Sequence, residues 1–247
     1  FMNAKDLTFQ TVNDKQEAKI EVRGVVFGEN GRPIGHAQHF GVVSLTEHEY
    51  QQALRNGIRI RYDMPARRPG AFQVRAAVRD VTTSRIGAAG EFVLVPNLND
   101  KRLALSGIML HSVPEPSQTG VIQATLAMPA AERFVPNSDL YSTCVIYNAS
   151  LDPVSQRPNL TIQSKLFRDG KIVFTYSDVP VDIANQADLE RIRVNLQFRL
   201  GADLEPGHYY LQLAVTDNAL KNRLKDKEKD KLPPVIQWVD FEIVKPK

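Results

Sequence analysis

One cysteine, Cys144, and five histidines are all that these 247 residues offer to thiol or soft-metal chemistry. A single thiol excludes an internal disulfide and a zinc site built from cysteines. No apolar run approaches the ~18 residues that a membrane-spanning helix needs, so no membrane span is expected. The first residues lack the basic, apolar and small-residue zones of a signal peptide. The opening Phe1-Met2 does not read as a natural start, and the chain is expected to be an internal fragment. Net charge is scarce too, at +3. Lys221 to Lys231 holds six Lys or Arg against three Asp or Glu, which is the whole of that excess. Elsewhere the charges cancel, so there is no broad basic face to track a phosphate backbone, and nucleic acid is not an expected partner. The string G-x-S-x-G, which a serine hydrolase would place on a strand-to-helix elbow, does not occur.

What the chain does contain is a phrase used twice. Pro69-Gly70-Ala71-Phe72-Gln73-Val74-Arg75-Ala76-Ala77-Val78-Arg79-Asp80 returns as Pro206-Gly207-His208-Tyr209-Tyr210-Leu211-Gln212-Leu213-Ala214-Val215-Thr216-Asp217. Pro-Gly sets a turn, because proline fixes φ and glycine supplies the unusual dihedral. The alternation that follows puts Phe72, Val74, Ala76 and Val78 on one face of a strand, and Tyr209, Leu211, Leu213 and Val215 on one face of its counterpart. Each is expected to be the core strand of a sheet that needs a second sheet to cover it. With 43% hydrophobic and 24% charged residues, the composition is that of a soluble globular protein.

The rest of the chain fits around these two strands. Ala18 to Phe27 alternates, and Glu29-Asn30-Gly31 supplies a hairpin turn before a returning strand from Ile34 to Leu45. Thr46-Glu47-His48-Glu49 has the form of a capping box, so a short helix follows, with Tyr50, Ala53 and Leu54 on one face and Gly57 at its end. Ile58, Ile60, Tyr62 and Met64 alternate again, and Gly90 to Val95 closes the first half. Pro96 to Lys101 is polar and turn-rich, which places a domain boundary near Leu98. Beyond it we expect strands near Leu103 to Met109, Val121 to Met128, Leu140 to Tyr147, Leu160 to Phe167, Ile172 to Phe174 and Ile192 to Leu200, with an Asp169-Gly170 hairpin. Tyr62 and Met64 stand 136 positions before Phe198 and Leu200, and the Pro-Gly phrases are 137 apart. Phe92-Val93-Leu94-Val95 corresponds to Phe241-Glu242-Ile243-Val244, 149 further on; the added 12 positions match the charged insertion, assigned to 219–234. The reading is an all-β chain of two tandem immunoglobulin- or fibronectin-III-like β-sandwiches, residues 1–98 and 99–247, with a short helix in the first.

Pro69 to Asp80, then Arg85-Ile86-Gly87-Ala88, then Phe92-Val93-Leu94-Val95-Pro96, then Leu103-Ala104-Leu105-Ser106-Gly107-Ile108 follow one another in an order that resembles the C-terminal half of the VWFA-related proteins known mainly from acidobacteria. The resemblance covers nearly the whole chain and is most specific over residues 69 to 108. It implies a pair of sandwiches lying downstream of a von Willebrand A domain in an exported protein, hence a periplasmic or secreted location. The A domain itself is missing, because its D-x-S-x-S metal turn does not occur in these residues. The resemblance implies no activity and no cofactor.

Few side chains invite chemistry. His36 and His39, with Glu47, His48 or Glu49 nearby, would form a metal site only if their segment were a turn, since i and i+3 face opposite sides of a strand. Asp80 and Asp217 end matching strands, where an aspartate ordinarily bonds the amides of the turn; a calcium pair is the sharper alternative. Phe72 and Tyr209 occupy the place of a tyrosine corner, which Phe72 can fill by packing alone. Trp238 is expected to face away from Phe241, at an edge. Cys144 is expected to be inert. No catalytic, cofactor or metal residue is assigned, and the expected function is a non-catalytic structural or interaction module. It would space or present a neighbouring domain, with a protein partner or its own upstream domain as ligand. The alternative is a carbohydrate-binding accessory module taking an extracellular polysaccharide, for which Tyr141, Tyr147, Phe174 and Tyr176 are the candidate aromatics. A third possibility, a hydrolase with two unlinked carboxylates, would show as a deep acidic cleft.

Overall fold

The computed structural model describes residues 2–58, 60, 68–112, 133–224 and 232–246. Within them the protein is all-β with a short helix, and it divides into two compact units, one running to Asn97 and one beginning at Leu98. The strands expected over Tyr62 to Met64 and Val121 to Met128, and residues 225–231 of the charged insertion, lie outside the described residues.

In the first unit, β1 (Gln10–Val12), β2 (Lys15–Phe27), β3 (Pro33–Leu45), β4 (Gly70–Asp80) and β5 (Ile86–Val95) form one antiparallel sheet. β2 is its axis. Ile20 pairs with Gly41 of β3 and with Asp80 of β4, so these two strands lie on opposite edges of β2, while β1 takes the remaining length of the β4 side. The hairpin between β2 and β3 turns at Gly31, whose φ of 70° is left-handed backbone that glycine adopts without a Cβ clash. The expected helix is present as α1 (Glu47–Asn56). Its N-terminus is closed by the reciprocal Thr46–Glu49 box and its C-terminus by Gly57 at φ 77°. Ala53 is buried, and Tyr50 and Leu54 pack with it against Ile20, Val22, Val43 and Leu45, so α1 covers one end of one sheet face.

The second unit is a sandwich. One sheet runs β11 (Lys171–Thr175), β10 (Leu160–Arg168), β14 (Gly207–Asp217), β15 (Val235–Ile243) and β8 (Arg133–Phe134), with β12 (Val179–Pro180) also on β10. The other runs β13 (Arg191–Arg199), β9 (Asp139–Tyr147) and β6 (Ala104–Leu105), with β7 (Met109–His111) also on β9. A short helix α2 (Asn218–Lys221) follows β14, its first turn capped by Asp217. Between the sheets lie Leu140, Cys144 and Ile146 from β9, Ile192 and Phe198 from β13, Ile162 and Leu166 from β10, and Leu211, Leu213 and Val215 from β14. Each fully buried aliphatic side chain contributes roughly 1.5–3 kcal/mol relative to exposure. The β10–β11 turn has Asp169 and Gly170 both at positive φ, 50° and 73°, the dihedrals that let a two-residue hairpin follow the strand twist.

The repeat is visible in the pairing. The order β3-β2-β4-β5 in the first unit is the order β11-β10-β14-β15 in the second, antiparallel throughout. Asp80 ends its strand opposite Ile20, and Asp217 ends its strand opposite Leu160. One correspondence expected from the sequence is shifted by a residue. Phe72 pairs with Val93, whereas Tyr209 pairs with Phe241, so Val93 and not Phe92 is the counterpart of Phe241. Side chains alternate along a strand, and the one-residue difference turns Phe92 and Leu94 to the opposite face from the one their letters suggested.

Candidate functional site

The ionisable groups that the fold buries are engaged in holding the backbone. Asp80, inaccessible at the end of β4, accepts hydrogen bonds from the backbone N–H of Thr8 at 2.5 Å, Thr82 at 2.7 Å and Thr83 at 3.0 Å. Burial opposes its ionisation, but these amides outweigh it and hold the carboxyl below the ordinary aspartate range. Asp217 does the same work in the second unit, taking the N–H of Ser150 and of Leu220, both at 2.9 Å. Both aspartates therefore bind turns, as their positions predict.

Tyr209 is 1% exposed and donates its hydroxyl to the Glu205 carbonyl, four residues upstream, at 2.8 Å. This is the tyrosine corner expected from the repeat. The Arg168 guanidinium lies 5.6 Å over the same ring and reaches the Glu205 carboxylate at 2.7 Å, so the turn before β14 is tied from both sides. Phe72 fills the equivalent place by packing, and is buried.

The remaining sequence candidates separate. His36 and His39 both lie on β3, opposite Val25 and Val22, and their side chains leave opposite faces of the sheet. The Ser106 hydroxyl is engaged with the Gly107 carbonyl and the Val145 amide. Cys144 is buried, and burial pushes its thiol up to about 12. Tyr141 and Tyr147 are on the outer face of β9, whereas Phe174 and Tyr176 belong to the β10–β11 side of the other sheet, with Tyr176 packed on Phe198. These four aromatics do not form one row. Trp238 is 45% exposed and faces away from Phe241, as expected; its ring meets Phe167 at 4.9 Å, with Tyr210 beside them.

Two features escaped the sequence reading, and both sit on the face of the first sheet that looks away from α1. The first is Glu21, only 2% exposed in the middle of that face. Its carboxylate accepts from Arg23 Nε, from Gln38 Nε2 at 2.6 Å, and from Arg79 Nη2 at 2.6 Å. The Arg23 hydrogen bond, against the opposing effect of burial and with help from Arg79, holds the Glu21 carboxyl below its ordinary value. No local signal marks it, since Glu21 and Arg79 share a face only because β2 and β4 pair in this register. The second is apolar. On the same face, Phe92 is 77% exposed, Leu94 75% and Ile86 68%, with Phe40 and Val42 exposed on β3. The face thus presents apolar side chains at both edges of the sheet around a polar, ion-paired centre.

The architecture defines an all-β protein whose described residues build a sandwich and a helix-backed sheet from one repeated pattern of strands. Compared with known proteins, the chain matches no family model and no curated protein. Among the described residues no helix is long and apolar enough to cross a membrane, and no group of three or more His, Cys, Asp or Glu side chains is placed to hold a metal ion.

Proposed function

We propose that this chain is a non-catalytic interaction module of an exported bacterial protein, spacing or presenting a neighbouring domain and docking a protein partner. The observation that carries it is the outer face of the first sheet, where Phe40, Val42, Ile86, Phe92 and Leu94 stand in solvent. Exposed large side chains scattered singly are ordinary; several on one sheet face mark a surface that another protein covers. The engagement of Asp80, Asp217 and Glu21 with amides and cations supports the same reading, because these buried carboxylates are structural. The resemblance to VWFA-related proteins supports the placement beside a von Willebrand A domain, outside the cytoplasm. Incubating the chain with a panel of hydrolase substrates tests it: no turnover is expected, and turnover abolished by one carboxylate substitution would overturn it.

A second reading, carbohydrate binding, draws on a different observation. Phe167, Tyr210 and Trp238 share the outer face of the second unit's β10-β14-β15 sheet, with the Phe167 and Trp238 ring planes 59° apart. Aromatic faces are the ordinary stacking surface for sugars, but rings so tilted form a cluster rather than a flat platform. Glycan-array binding lost in Trp238→Ala would favour this reading over the first.

A further inference from the structure

We infer that β5 is the site of self-association, pairing antiparallel with β5 of a second copy so that the two sheets join edge to edge. The inference rests on the interaction-module reading and names its partner.

The repeat itself shows what this edge takes. In the second unit, β15, the counterpart of β5, is covered on its far edge by a strand: Glu242 and Ile243 pair in parallel with Arg133 and Phe134, Val244 N–H donates to the Phe134 carbonyl at 2.8 Å, and Arg133 meets the Glu242 carboxylate at 2.8 Å. In the first unit, among the described residues, β5 pairs only with β4, and every residue from Ile86 to Leu94 is exposed. Leu94 stands where Glu242 stands in the repeat, so the partner wanted at this edge is apolar and not an arginine.

The strand carries few of the devices by which edges are kept apart. It has no Lys, no Pro within its ten residues and no break in its register with β4, and Glu91 is its single charge. It is also self-complementary. With Gly90 on the two-fold axis, Ala88 of one copy lies opposite Phe92 of the other, and Ile86 lies opposite Leu94, all on the exposed outer face. On the other face Gly87 meets Val93 and Ala89 meets Glu91, so no like charges stand directly opposite. Small residues receive large ones, and the glycine at the centre lets the backbones approach. An isologous contact of this kind closes on itself as a dimer.

Sedimentation velocity on the full chain at micromolar concentration is expected to show a dimer. Ala88→Lys, which sets a charge against Phe92 twice per interface, is expected to weaken association roughly tenfold or more while circular dichroism stays unchanged. A monomeric wild-type chain overturns the inference, and so does a dimer that Ala88→Lys leaves intact. The register is tested without relying on that variant. Ala88→Cys mixed with Phe92→Cys is expected to form an inter-copy disulfide that neither variant forms alone, because directly opposed strand residues lie within disulfide reach. Buried Cys144 does not compete. Failure of the mixture to cross-link overturns the proposed register. A monomer would leave the module reading standing with another partner, whereas hydrolase turnover would sink that reading and leave the dimer untouched.

Discussion

A single hydroxyl separates the two corners of the repeat. Tyr209 and Phe72 have the same place and nearly the same burial, but only Tyr209 bonds the backbone behind its turn. Tyr209→Phe is expected to cost about 1 kcal/mol, the net worth of an ordinary hydrogen bond, read as a lower urea midpoint in the fluorescence of Trp238. The carboxylates make a pH-dependent contribution. Asp80 and Glu21 are both held below their ordinary values in the folded chain, so the unfolded chain binds protons first as the pH drops. Their contribution is complete above roughly pH 4–4.5, the unfolded range, and is lost as the pH falls through the lower folded values. Asp80→Asn is expected to flatten that acid limb of the stability curve, and an unchanged limb would remove Asp80 from the account. Cys144 gives a third residue-scale expectation. Buried and protonated, it is expected to react with a thiol reagent only when the chain unfolds, so immediate labelling of the native protein would contradict its placement.

At the scale of elements, the strands that matter begin on glycines. Gly70 and Gly207 open β4 and β14 at φ 139° and 148°, a region closed to residues with a Cβ. A Cβ at 207 would meet the Arg168 guanidinium at 3.6 Å, an ordinary contact, so the cost of a side chain there lies in the backbone dihedral. Gly207→Val is expected to destabilise the second unit by about 1–3 kcal/mol, with Gly35→Val, in open space on β3 and without a positive φ, as the tolerated control. Equal melting temperatures for the two variants would count against the turn. Much at this scale was legible beforehand. The capping box at Thr46, the Asp169-Gly170 hairpin and the alternation of β14 are local rules written in adjacent residues. β5 was legible as a strand over Gly90 to Val95 but its faces were not, because Phe92-Val93-Leu94-Val95 is apolar at every position and carries no alternation from which a face could be chosen.

For the molecule as a whole, protection should follow the sheet order. β4 and β14 are flanked on both edges and are expected to exchange their amides slowest, while the outward amides of β5 exchange fast in dilute solution and slow as concentration rises. Concentration-independent exchange along β5 would argue against its pairing. The duplicated blueprint, the helix and the turn-binding aspartates followed from the amino-acid order, because turns, caps and side-chain alternation are decided within a few residues of one another. The direction in which Phe92 points, the burial of Glu21 between two arginines and the far edge of β5, unpaired among the described residues, were decided only by the tertiary structure. Each depends on which residue of a distant strand lies opposite, and with a period of two, a shift of one position exchanges the two faces of a sheet.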